Sequence, residues 1–229
     1  MKNIAIIPAR SGSKGLKDKN IKLLNSKPLM AYTIEAALKS EQFDDVMVST
    51  DSEKYAEIAK SFGAKVPFLR SAETSTDKAS SWDTVAEVLG RYAENGQTFE
   101  TLCLLQPTSP FRTAEDIKKA YKLYTSKANF AVLSVCEAEH SPLWCGHLPE
   151  SGEFLNFINQ DAMKQRQAGG KFYRLNGAIY IVNCEKFKTD RYFYQSGSFA
   201  YIMPQERSID IDTALDFRMA EFLMKTQTT

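Results

Sequence analysis

The sequence lacks a long apolar run, a paired-cysteine motif and an excess of charge of either sign. No apolar stretch approaches the roughly 20 residues that a membrane-spanning helix needs, so we expect no membrane partner. The 29 basic and 28 acidic residues leave a formal net charge of +1, which predicts no global attraction to nucleic acid. The four cysteines are scattered without a Cys-x-x-Cys pair, and no signal peptide is evident, so we expect reduced thiols and a cytoplasmic location. Any anion site must therefore be local.

The 229 residues are enough for one domain with a sizeable core, and we expect a single domain over residues 1–229. Short apolar runs alternate with longer helical patterns. The predicted strands are Ile4–Ala9, Val46–Thr50, Thr101–Gln106, Phe130–Cys136 and Gly177–Val182, and the predicted helices are Leu29–Leu38, Glu53–Ser61, Trp82–Glu94 and Ala114–Tyr124. Several strands lack polar alternation, which is typical of a sheet buried on both faces. The pattern predicts an α/β fold with a mainly parallel, doubly wound sheet, in which ligands bind at the carboxyl ends of the strands.

The alternation of strands and helices breaks from about Glu137 to Tyr173. This stretch holds both histidines, two prolines and several aromatic residues that look exposed. We interpret it as an insertion that covers the active face or meets a partner subunit.

A basic loop with two glycines follows the first predicted strand. Its cations and glycines are Arg10, Lys14, Lys17, Lys19, Gly12 and Gly15. Glycines allow backbone conformations that bring N–H groups close to an anion, and the cationic side chains would neutralise phosphate oxygens. Neither accepted phosphate fingerprint is present, Gly-x-x-x-x-Gly-Lys-Ser/Thr or Gly-x-Gly-x-x-Gly, and lysines after a strand commonly form a solvated turn. The loop alone leaves phosphate binding and a plain turn open.

Two aspartates, Asp210 and Asp212, alternate with isoleucines in the segment Ser208–Asp216. Side chains two apart on a strand share a face, so both carboxylates would project together while the isoleucines enter the core. Paired carboxylates suit a hard divalent cation such as Mg²⁺, which commonly bridges to substrate phosphate. Helix capping is the alternative, because Asp212 or the following threonine would also cap a helix that starts near Ala214.

The third apolar strand ends at Gln106, in a loop that contains two prolines. Gln106, Thr108 and Ser109 would stand at the carboxyl end of that strand and offer hydrogen bonds to a polyhydroxylated ligand. The same residues also make an ordinary turn before a helix. Arg166 and Arg174 are candidate clamps for an anion, since a guanidinium matches a carboxylate with two parallel hydrogen bonds.

Taken together, these segments resemble the CMP-sialic acid synthetases, also called acylneuraminate cytidylyltransferases. The resemblance spans essentially the whole chain and is carried by Pro8–Gly15, Lys19–Asn20, Ser49–Asp51, Leu69–Arg70, Ala79–Ser81, Leu105–Pro110, Arg174–Tyr180 and Ser208–Asp212. Members of that family couple CTP to a nine-carbon 2-keto sugar acid, a nonulosonic acid, and release pyrophosphate. The resemblance implies an α/β sheet of the nucleotide-diphospho-sugar transferase type, a small inserted dimerisation segment at about residues 138–175, and a homodimer.

The resemblance also implies a role for each matching residue. Arg10, Ser13, Lys14 and Lys19 would hold the triphosphate, and Asp210 and Asp212 would position Mg²⁺. Asn20, Arg70, Ala79 and Ser81 would lie around the cytidine, whereas Gln106 and Arg166 would contact the sugar acid. The catalytic set would be Arg10, Lys14, Lys19 and Asp212. Phe193 and Tyr194 would close the sugar pocket of the other subunit, although ordinary packing is the alternative for both.

The implied function is Mg²⁺-dependent transfer of CMP to a nonulosonic acid, with N-acetylneuraminic acid as the first candidate. The nearest alternative is a related enzyme for legionaminic, pseudaminic, deaminated neuraminic or 3-deoxy-octulosonic acid. A non-catalytic sensor of CTP or a sugar acid is less consistent with Lys19, Asp210 and Asp212, because nucleotide binding alone does not require that metal geometry. An NAD(P)-dependent oxidoreductase is disfavoured by the missing dinucleotide fingerprint.

Overall fold

A six-stranded sheet forms the centre of the computed structural model, which describes residues 1–13, 15–154, 157–158 and 170–226. The strands of this sheet are β1 (Asn3–Pro8), β4 (Asp45–Ser49), β5 (Thr101–Leu104), β6 (Ala131–Glu137), β7 (Tyr173–Asn183) and β8 (Ser198–Ile202), and a separate hairpin pairs β2 (Leu23–Leu24) with β3 (Lys27–Pro28). The helices are α1 (Leu29–Ser40), α2 (Glu53–Ser61), α3 (Ser81–Glu94), α4 (Ala114–Lys127), α5 (Cys184–Thr189) and α6 (Ala214–Thr226). The strand order across the sheet is β4-β1-β5-β7-β6-β8.

Most neighbouring strands of the sheet run parallel. β1 is parallel to β4 and β5, and β6 is parallel to β8, whereas β7 runs antiparallel to both β5 and β6. The carboxyl ends of the parallel strands therefore meet at one edge of the sheet, where the amino end of β7 also lies. The predicted mainly parallel α/β sheet is confirmed, with β7 as the exception.

Helices cover both faces of the sheet. Alternate residues of the central strands point to opposite faces, and both sets are buried against helices. In β1, Ile4 and Ile6 belong to one buried cluster with residues of α3 and α5. Ala5 and Ile7 belong to another cluster with residues of α1, α2 and α4. All four side chains are fully buried, so the predicted doubly wound arrangement is confirmed.

The sequence patterns predict neither α5 nor β8. Helix α5 has only six residues, which is too short to show a helical period. Strand β8 lies at the edge of the sheet, and its Phe199 and Ile202 are 39% and 57% exposed. The side chains of β8 therefore do not alternate between buried and exposed, which is the pattern that identifies a strand in a sequence.

The segment that carries the two aspartates is not a strand, which corrects the expectation. Residues 208–212 have no regular secondary structure and lie outside the sheet, and the Ile211 N–H donates to the Thr108 carbonyl at 2.9 Å rather than joining a strand ladder. Ile211 is fully buried in a small cluster with α6. Asp210 and Asp212 line one pocket, whereas Ile209 and Ile211 pack in the cluster with α6, so the predicted separation of aspartates from isoleucines holds.

The described part of the stretch between β6 and β7 carries a short 3₁₀ turn at Pro142–Trp144 within otherwise irregular backbone. Strand β7 begins at Tyr173, inside the predicted boundary of the insertion. A dimerisation role for this stretch stays a prediction. Within the described ranges, we find no helix with both the length and the apolar character needed to cross a membrane.

Candidate active site

An open pocket of about 640 Å³ lies at the edge of the sheet where β1 and β5 end. Four separated parts of the chain form its walls: the loop after β1, the segment before α3, the loop after β5 and the segment before α6. The lining residues are Pro8, Arg10, Ser13, Gly15, Lys19, Asn20, Arg70, Ala79, Ser81, Gln106, Pro107, Thr108, Asp210, Asp212 and Thr213. Most residues that the sequence singled out for substrate or metal binding are therefore brought together.

The loop after β1 is anchored to the end of β4. Ser11 donates two hydrogen bonds to the Asp51 carboxylate, one from its backbone N–H at 2.8 Å and one from its hydroxyl at 3.0 Å. Farther along the loop, the Asn20 side-chain amide donates to the Arg10 carbonyl at 3.1 Å. These bonds fold the loop back on itself and fix Arg10 in the pocket wall.

Gly15 brings this loop against the segment that carries the aspartates. A Cβ atom on Gly15 would lie 2.6 Å from the backbone oxygen of Asp212, whereas a Cβ atom on Gly12 would meet nothing within 4 Å. Neither glycine has a positive φ, so special backbone angles do not explain them here. Close packing is therefore the requirement at Gly15. This contact joins the loop after β1 to the segment before α6 at one pocket.

Lys19 and Asp212 form an ion pair across the pocket wall. The Lys19 Nζ atom lies 2.9 Å from Asp212 Oδ1, and the two side chains are 12% and 70% exposed. Lys17 is exposed and does not line the pocket, and Lys14 lies outside the described residues. Arg10 and Lys19 are thus the cations of this loop that the structure places at the pocket.

Asp210 has a buried carboxylate oxygen, Oδ1, that finds no hydrogen-bond partner among the described residues. Burial raises the pKa of Asp210, and the negative charge of Asp212 raises it further. A hydrogen bond from Thr108 and the positive charge of Lys19 act to lower this pKa, but the net shift is upward. Buried polar atoms are nearly always satisfied, so this oxygen indicates a place for a cation. Two carboxylates facing one pocket match the oxygen ligands that hard divalent cations prefer.

The described residues contain no group of three or more His, Cys, Asp or Glu side chains arranged to hold a metal ion. A cation at Asp210 and Asp212 would therefore need further ligands from water or from a bound phosphate. Magnesium is commonly bound in this way, by one or two carboxylates together with substrate phosphates. The donor set fits a cation that arrives with an anionic substrate.

Thr213, and not Asp212, caps helix α6. The Thr213 hydroxyl accepts a hydrogen bond from the Asp216 N–H at 3.3 Å, and the Asp216 carboxylate accepts from the Thr213 and Asp212 N–H groups at 2.7 and 3.1 Å. The Asp212 carboxylate takes no part in this cap and instead faces Lys19. The structure therefore assigns capping to Thr213 and leaves the Asp212 side chain at the pocket.

The loop after β5 presents Gln106 to the pocket, and Gly177 leaves room for it. Gly177 has a φ of 73°, and a Cβ atom there would lie 2.5 Å from the Gln106 Oε1 atom. The Arg112 guanidinium is 2% exposed and donates to the carbonyls of Gln106 at 3.3 Å and Ala178 at 2.8 Å. Strand β7 and the Gln106 loop are thus tied together behind the pocket.

A buried polar network behind the pocket was not predicted from the sequence. The Ser134 hydroxyl donates to the Asn176 side chain at 2.6 Å, and the Asn176 amide donates to the Ser208 hydroxyl at 2.9 Å. The Ser109 hydroxyl donates to the Asn176 carbonyl at 3.4 Å. All four residues are buried, and they join β6, β7, the Gln106 loop and the start of the aspartate segment. The sequence signal was an Asn-Gly dipeptide at the head of an apolar run.

Arg70, Ala79 and Ser81 line the part of the pocket that leads to α3. Arg70 is 8% exposed, and burial lowers its pKa from the usual value. Its guanidinium donates to the Thr74 carbonyl and, at 3.4 Å, to the Thr74 hydroxyl. Ser81 is the first residue of α3, so this part of the pocket ends at a helix start.

Among the described residues that the sequence singled out for the site, Ser109, Arg174, Phe193 and Tyr194 do not line this pocket. Phe193 is 3% exposed and packs on Trp82 with 4.5 Å between ring centroids, which is the packing role that the sequence left open. Tyr194 is 57% exposed and lines a separate apolar pocket beside β8; its role at a second subunit stays a prediction. Arg166 lies outside the described residues. Arg174, the other candidate clamp, pairs with Glu139 at 2.8 Å away from the lining.

Known proteins resemble this chain in sequence and in fold. A family model described as cytidylyltransferase matches residues 4–193. An N-acylneuraminate cytidylyltransferase from Escherichia coli O18:K1:H7 is 43% identical over 219 residues, which cover 96% of this chain and 51% of that relative. A CMP-N,N'-diacetyllegionaminic acid synthase from Legionella pneumophila is 36% identical over 229 residues, covering 98% of this chain and 97% of that relative.

A solved structure of CMP:2-keto-3-deoxy-manno-octonic acid synthetase complexed with CTP matches with a TM-score of 0.75. The match covers 99% of this chain and 100% of the other at 17% sequence identity, and it confirms the predicted type of fold. The chain spans about half the length of the N-acylneuraminate cytidylyltransferases that it matches.

Proposed function

The chain belongs to the cytidylyltransferase family, and from that premise we propose that it joins CTP to a nine-carbon 2-keto sugar acid. The products would be the CMP-sugar and pyrophosphate. N-acetylneuraminic acid is the proposed sugar acid, because a relative at 43% identity is an N-acylneuraminate cytidylyltransferase. One observation carries the proposal most directly: Lys19 of the basic loop and Asp212 of the paired aspartates meet at 2.9 Å in one pocket.

In the proposed reaction, the C2 hydroxyl oxygen of the sugar acid bonds to the α-phosphorus of CTP and its proton passes to solvent. The bond from that phosphorus to the bridging oxygen breaks, and negative charge builds on the departing pyrophosphate. Arg10 and Lys19 would face that charge from the loop after β1. Lys14, which lies outside the described residues, is the third cation of the proposal. Fixed cations aimed at developing charge lower the barrier because they need little reorganisation during the reaction.

Asp210 and Asp212 are the proposed residues for holding Mg²⁺. The buried, unpartnered Oδ1 of Asp210 supports this assignment. Lys19 engages Asp212 through Oδ1, which leaves Oδ2 for a cation. When bound, the metal would neutralise phosphate oxygens of the nucleotide and help to orient them.

The remaining lining residues are proposed to position the two substrates. Asn20, Arg70, Ala79 and Ser81 would lie around the cytidine. Gln106 would orient the sugar acid from the loop after β5. Its amide offers both a donor and an acceptor for hydroxyl groups. Arg166 would reach the sugar carboxylate, which stays a proposal because Arg166 is outside the described residues.

We also propose a homodimer in which Tyr194 of one subunit closes the sugar pocket of the other. Tyr192 and Tyr194 are 61% and 57% exposed, and their rings contact each other at 5.6 Å between centroids. Under this proposal, Tyr194→Ala raises the KM for the sugar acid and leaves the KM for CTP unchanged. The adjacent Phe193→Ala would instead destabilise the core by about 3 kcal/mol. Sedimentation velocity would give the oligomeric state, and a monomer with full activity would contradict the dimer.

A cytoplasmic location completes the proposal. All four cysteines are free, which is the state expected of thiols in a reducing compartment. Cell fractionation followed by an activity assay would test this location, with activity expected in the cytoplasmic fraction.

A second candidate substrate is legionaminic acid, because the legionaminic acid synthase matches nearly the whole length of both chains. Pseudaminic, deaminated neuraminic and 3-deoxy-octulosonic acids belong to the same set of alternatives. A non-catalytic sensor would bind CTP without turning it over.

Pyrophosphate release with CTP, Mg²⁺ and a panel of these sugar acids tests the proposal. We expect turnover with N-acetylneuraminic acid at the lowest half-saturating concentration, loss of turnover with a metal chelator and recovery when Mg²⁺ is restored. Product identification by mass spectrometry would confirm the CMP-sugar. If the protein binds CTP but releases no pyrophosphate with any of the sugar acids, the proposed enzyme activity is refuted and the sensor is favoured.

A further inference from the structure

A hydrogen bond joins Tyr55 of helix α2 to the basic loop. The Tyr55 hydroxyl donates to the Asp18 carboxylate at 3.0 Å. Tyr55 is 1% exposed, and its ring belongs to the buried cluster formed with residues of α1, α2 and α4. A side chain that is fixed in the core therefore holds a residue of the loop that lines the pocket.

Asp18 has a left-handed backbone conformation, with a φ of 53° and a ψ of 31°. Aspartate adopts this conformation more readily than most residues other than glycine. The Asp18 carbonyl accepts hydrogen bonds from the N–H groups of Ile21 and Lys22 at 3.1 and 3.0 Å, at the 3₁₀ turn of Lys19–Ile21. The carboxylate of Asp18 is thus bound to the core and its carbonyl to the turn.

The two lysines that flank Asp18 lie in different surroundings. Lys17 is exposed and does not line the pocket. The Lys19 side chain is 12% exposed, and its Nζ atom lies 2.9 Å from Asp212 Oδ1. Because the chain turns at the left-handed residue between them, the orientation of this turn determines whether Lys19 reaches the pocket.

Other contacts also hold the turn. The Lys19 N–H donates to the Leu16 carbonyl at 3.2 Å, and Ile21 packs against the same buried cluster that contains Tyr55. Loss of the Tyr55 hydroxyl should therefore shift the turn and not unfold it. A shift of this kind would act mainly on what Lys19 can reach, because binding and catalysis depend steeply on the position of a charged group.

We propose that Tyr55 is a positioning residue for Lys19. Its hydroxyl fixes Asp18, and Asp18 directs Lys19 to the phosphate site beside Asp212. Helix α2 thereby acts on the pocket, although it supplies none of the lining residues described above. The alternative is that Asp18 only satisfies the hydroxyl of a core tyrosine, in which case the effect of Tyr55 would not depend on Lys19.

This inference rests on the proposed function only for the identity of the ligand as a nucleoside triphosphate. The contact between Lys19 and a phosphate requires a polyphosphate and no particular base. Inorganic tripolyphosphate is therefore the probe, and its binding does not depend on transfer of CMP.

The first experiment measures tripolyphosphate binding by isothermal titration calorimetry for the unmodified protein, Tyr55→Phe, Lys19→Met and the double variant. Phenylalanine keeps the ring in the core and removes only the hydroxyl. We expect Tyr55→Phe to bind about three- to tenfold more weakly, the effect of losing one hydrogen bond of ordinary strength. In the Lys19→Met background the same change should weaken binding by less than about twofold, because the residue through which Tyr55 acts is absent.

Equal losses in both backgrounds would overturn the inference, as would unchanged binding by Tyr55→Phe or a lack of binding by the unmodified protein. Tyr121→Phe is the matched control. Tyr121 is 2% exposed, and its hydroxyl lies 3.1 Å from the Thr101 hydroxyl at the amino end of β5, away from the pocket. This variant should lose stability but bind tripolyphosphate as the unmodified protein does, and an equal loss of affinity there would also overturn the inference.

The second experiment changes Asp18, which is only partly buried, so that it does not depend on a substitution in the core. Asp18→Asn and Asp18→Gly remove the same charge, and both residues accept the left-handed conformation. Only asparagine keeps an acceptor for the Tyr55 hydroxyl. We expect Asp18→Gly to bind tripolyphosphate about three- to tenfold more weakly than Asp18→Asn, and this difference should disappear when Tyr55→Phe is also present. Equal affinities of the two Asp18 variants, or a difference that persists with Tyr55→Phe, would overturn the inference.

Steady-state kinetics give a further readout and keep the two proposals distinguishable. Tyr55→Phe should lower kcat and leave the KM for the sugar acid unchanged; a raised KM for the sugar acid with unchanged kcat would contradict a role through Lys19. If the unmodified protein makes no CMP-sugar but the effect of Tyr55→Phe on tripolyphosphate binding depends on Lys19, the proposed function fails and the role of Tyr55 stands. If CMP-sugar forms and Tyr55→Phe binds tripolyphosphate normally, the proposed function stands and the role of Tyr55 fails.

Discussion

The Nζ atom of Lys19 lies 2.9 Å from the Oδ1 atom of Asp212, although the two residues are 193 positions apart in the sequence. The Lys19 side chain is mostly enclosed, whereas the Asp212 side chain is mostly exposed. The cation is therefore held within the wall while the carboxylate reaches into the pocket. Under the proposed function, Lys19 would face a phosphate and Asp212 a metal ion from adjacent positions at one pocket.

The contrast between Asp212 and Asp216 separates a metal-binding role from helix capping. We expect Asp212→Asn to lower kcat by about 100-fold or more, because a neutral amide is a poor ligand for a hard cation, and to leave the melting temperature nearly unchanged. Asp216→Asn should show the opposite pattern: it weakens the hydrogen bonds that the Asp216 carboxylate accepts at the start of α6, at a cost of about 1 kcal/mol, and keeps most of the turnover. Pyrophosphate release and thermal unfolding would be measured for both. Near-normal turnover by Asp212→Asn would refute the metal role.

The two glycines of the basic loop should respond differently to alanine. In Gly15→Ala, the new methyl group would meet the Asp212 backbone oxygen at 2.6 Å, so the loop must move away from the aspartate segment. Misplacement of this kind should lower kcat/KM for CTP by roughly 10-fold or more. Gly12→Ala introduces a methyl group with no neighbour within 4 Å and should retain activity. Steady-state kinetics with CTP as the varied substrate would check both, and equal losses would argue against the packing explanation.

Gly177→Ala tests whether the orientation of Gln106 matters for the sugar acid. Alanine at a φ of 73° is strained by about 1–2 kcal/mol, and its methyl group would push the Gln106 amide out of position. We expect a higher KM for the sugar acid and an unchanged KM for CTP. Gly90→Ala is the control, since Gly90 lies in α3 with open space at its Cβ position and alanine there should stabilise the protein by about 0.5–1 kcal/mol. A rise in the KM for CTP alone would assign Gln106 to the other substrate.

Asp116 should make the stability of the protein depend on pH. Burial acts to raise the pKa of Asp116, but hydrogen bonds from Arg207 at 2.9 and 3.0 Å and from Thr113 outweigh it and hold that pKa below its usual value. A carboxyl group whose pKa is lowered by folding stabilises the protein above its unfolded pKa of about 4, and this stabilisation is lost as the pH falls through the folded pKa. Asp116→Asn should therefore cost about 2 kcal/mol at pH 7, and the difference from the unmodified protein should shrink below about pH 4.

Urea unfolding of both proteins at several pH values would measure this difference. Glu115→Gln is the control, because Glu115 is the exposed neighbour of Asp116 and contacts Lys119 only at 3.9 Å. It should change stability little at any pH. A difference between Asp116→Asn and the unmodified protein that is constant from pH 7 to pH 3 would contradict the assignment.

The sequence predicted structure well where burial is uniform. The run at Ile4–Ile7 is buried on both faces, and such a run identifies a central strand without knowledge of its neighbours. The basic loop directly follows the carboxyl end of this strand. The sequence therefore predicted that the loop lies at the edge of the sheet where the carboxyl ends of parallel strands meet and where ligands bind in such folds. In residues 208–212, the predicted separation of aspartates from isoleucines is found, but the predicted strand is not. The Ile211 N–H donates to a loop carbonyl instead of to a neighbouring strand.

Other parts of the site depend on contacts that no local pattern records. Asn176 is a polar residue inside a strand. Its role follows only when pairing of β6 with β7 brings Ser134 beside it and the segment after β8 brings Ser208 there. Phe193 and Tyr194 are adjacent in sequence, and both would suit a pocket or a core. The ring of Trp82, more than a hundred positions earlier, decides that Phe193 is the buried one.

The reversed direction of β7 determines where the long excursion before it is rooted. Because this strand runs against β5 and β6, its first residues lie at the edge of the sheet where β5 and β6 end. The chain leaves the sheet after Glu137 and rejoins it at Tyr173 at that same edge. A strand of the opposite sense would have returned that excursion to the far side of the molecule. A change in the length of this segment would therefore act at the edge of the sheet where β1 and β5 also end and leave the six-stranded sheet intact.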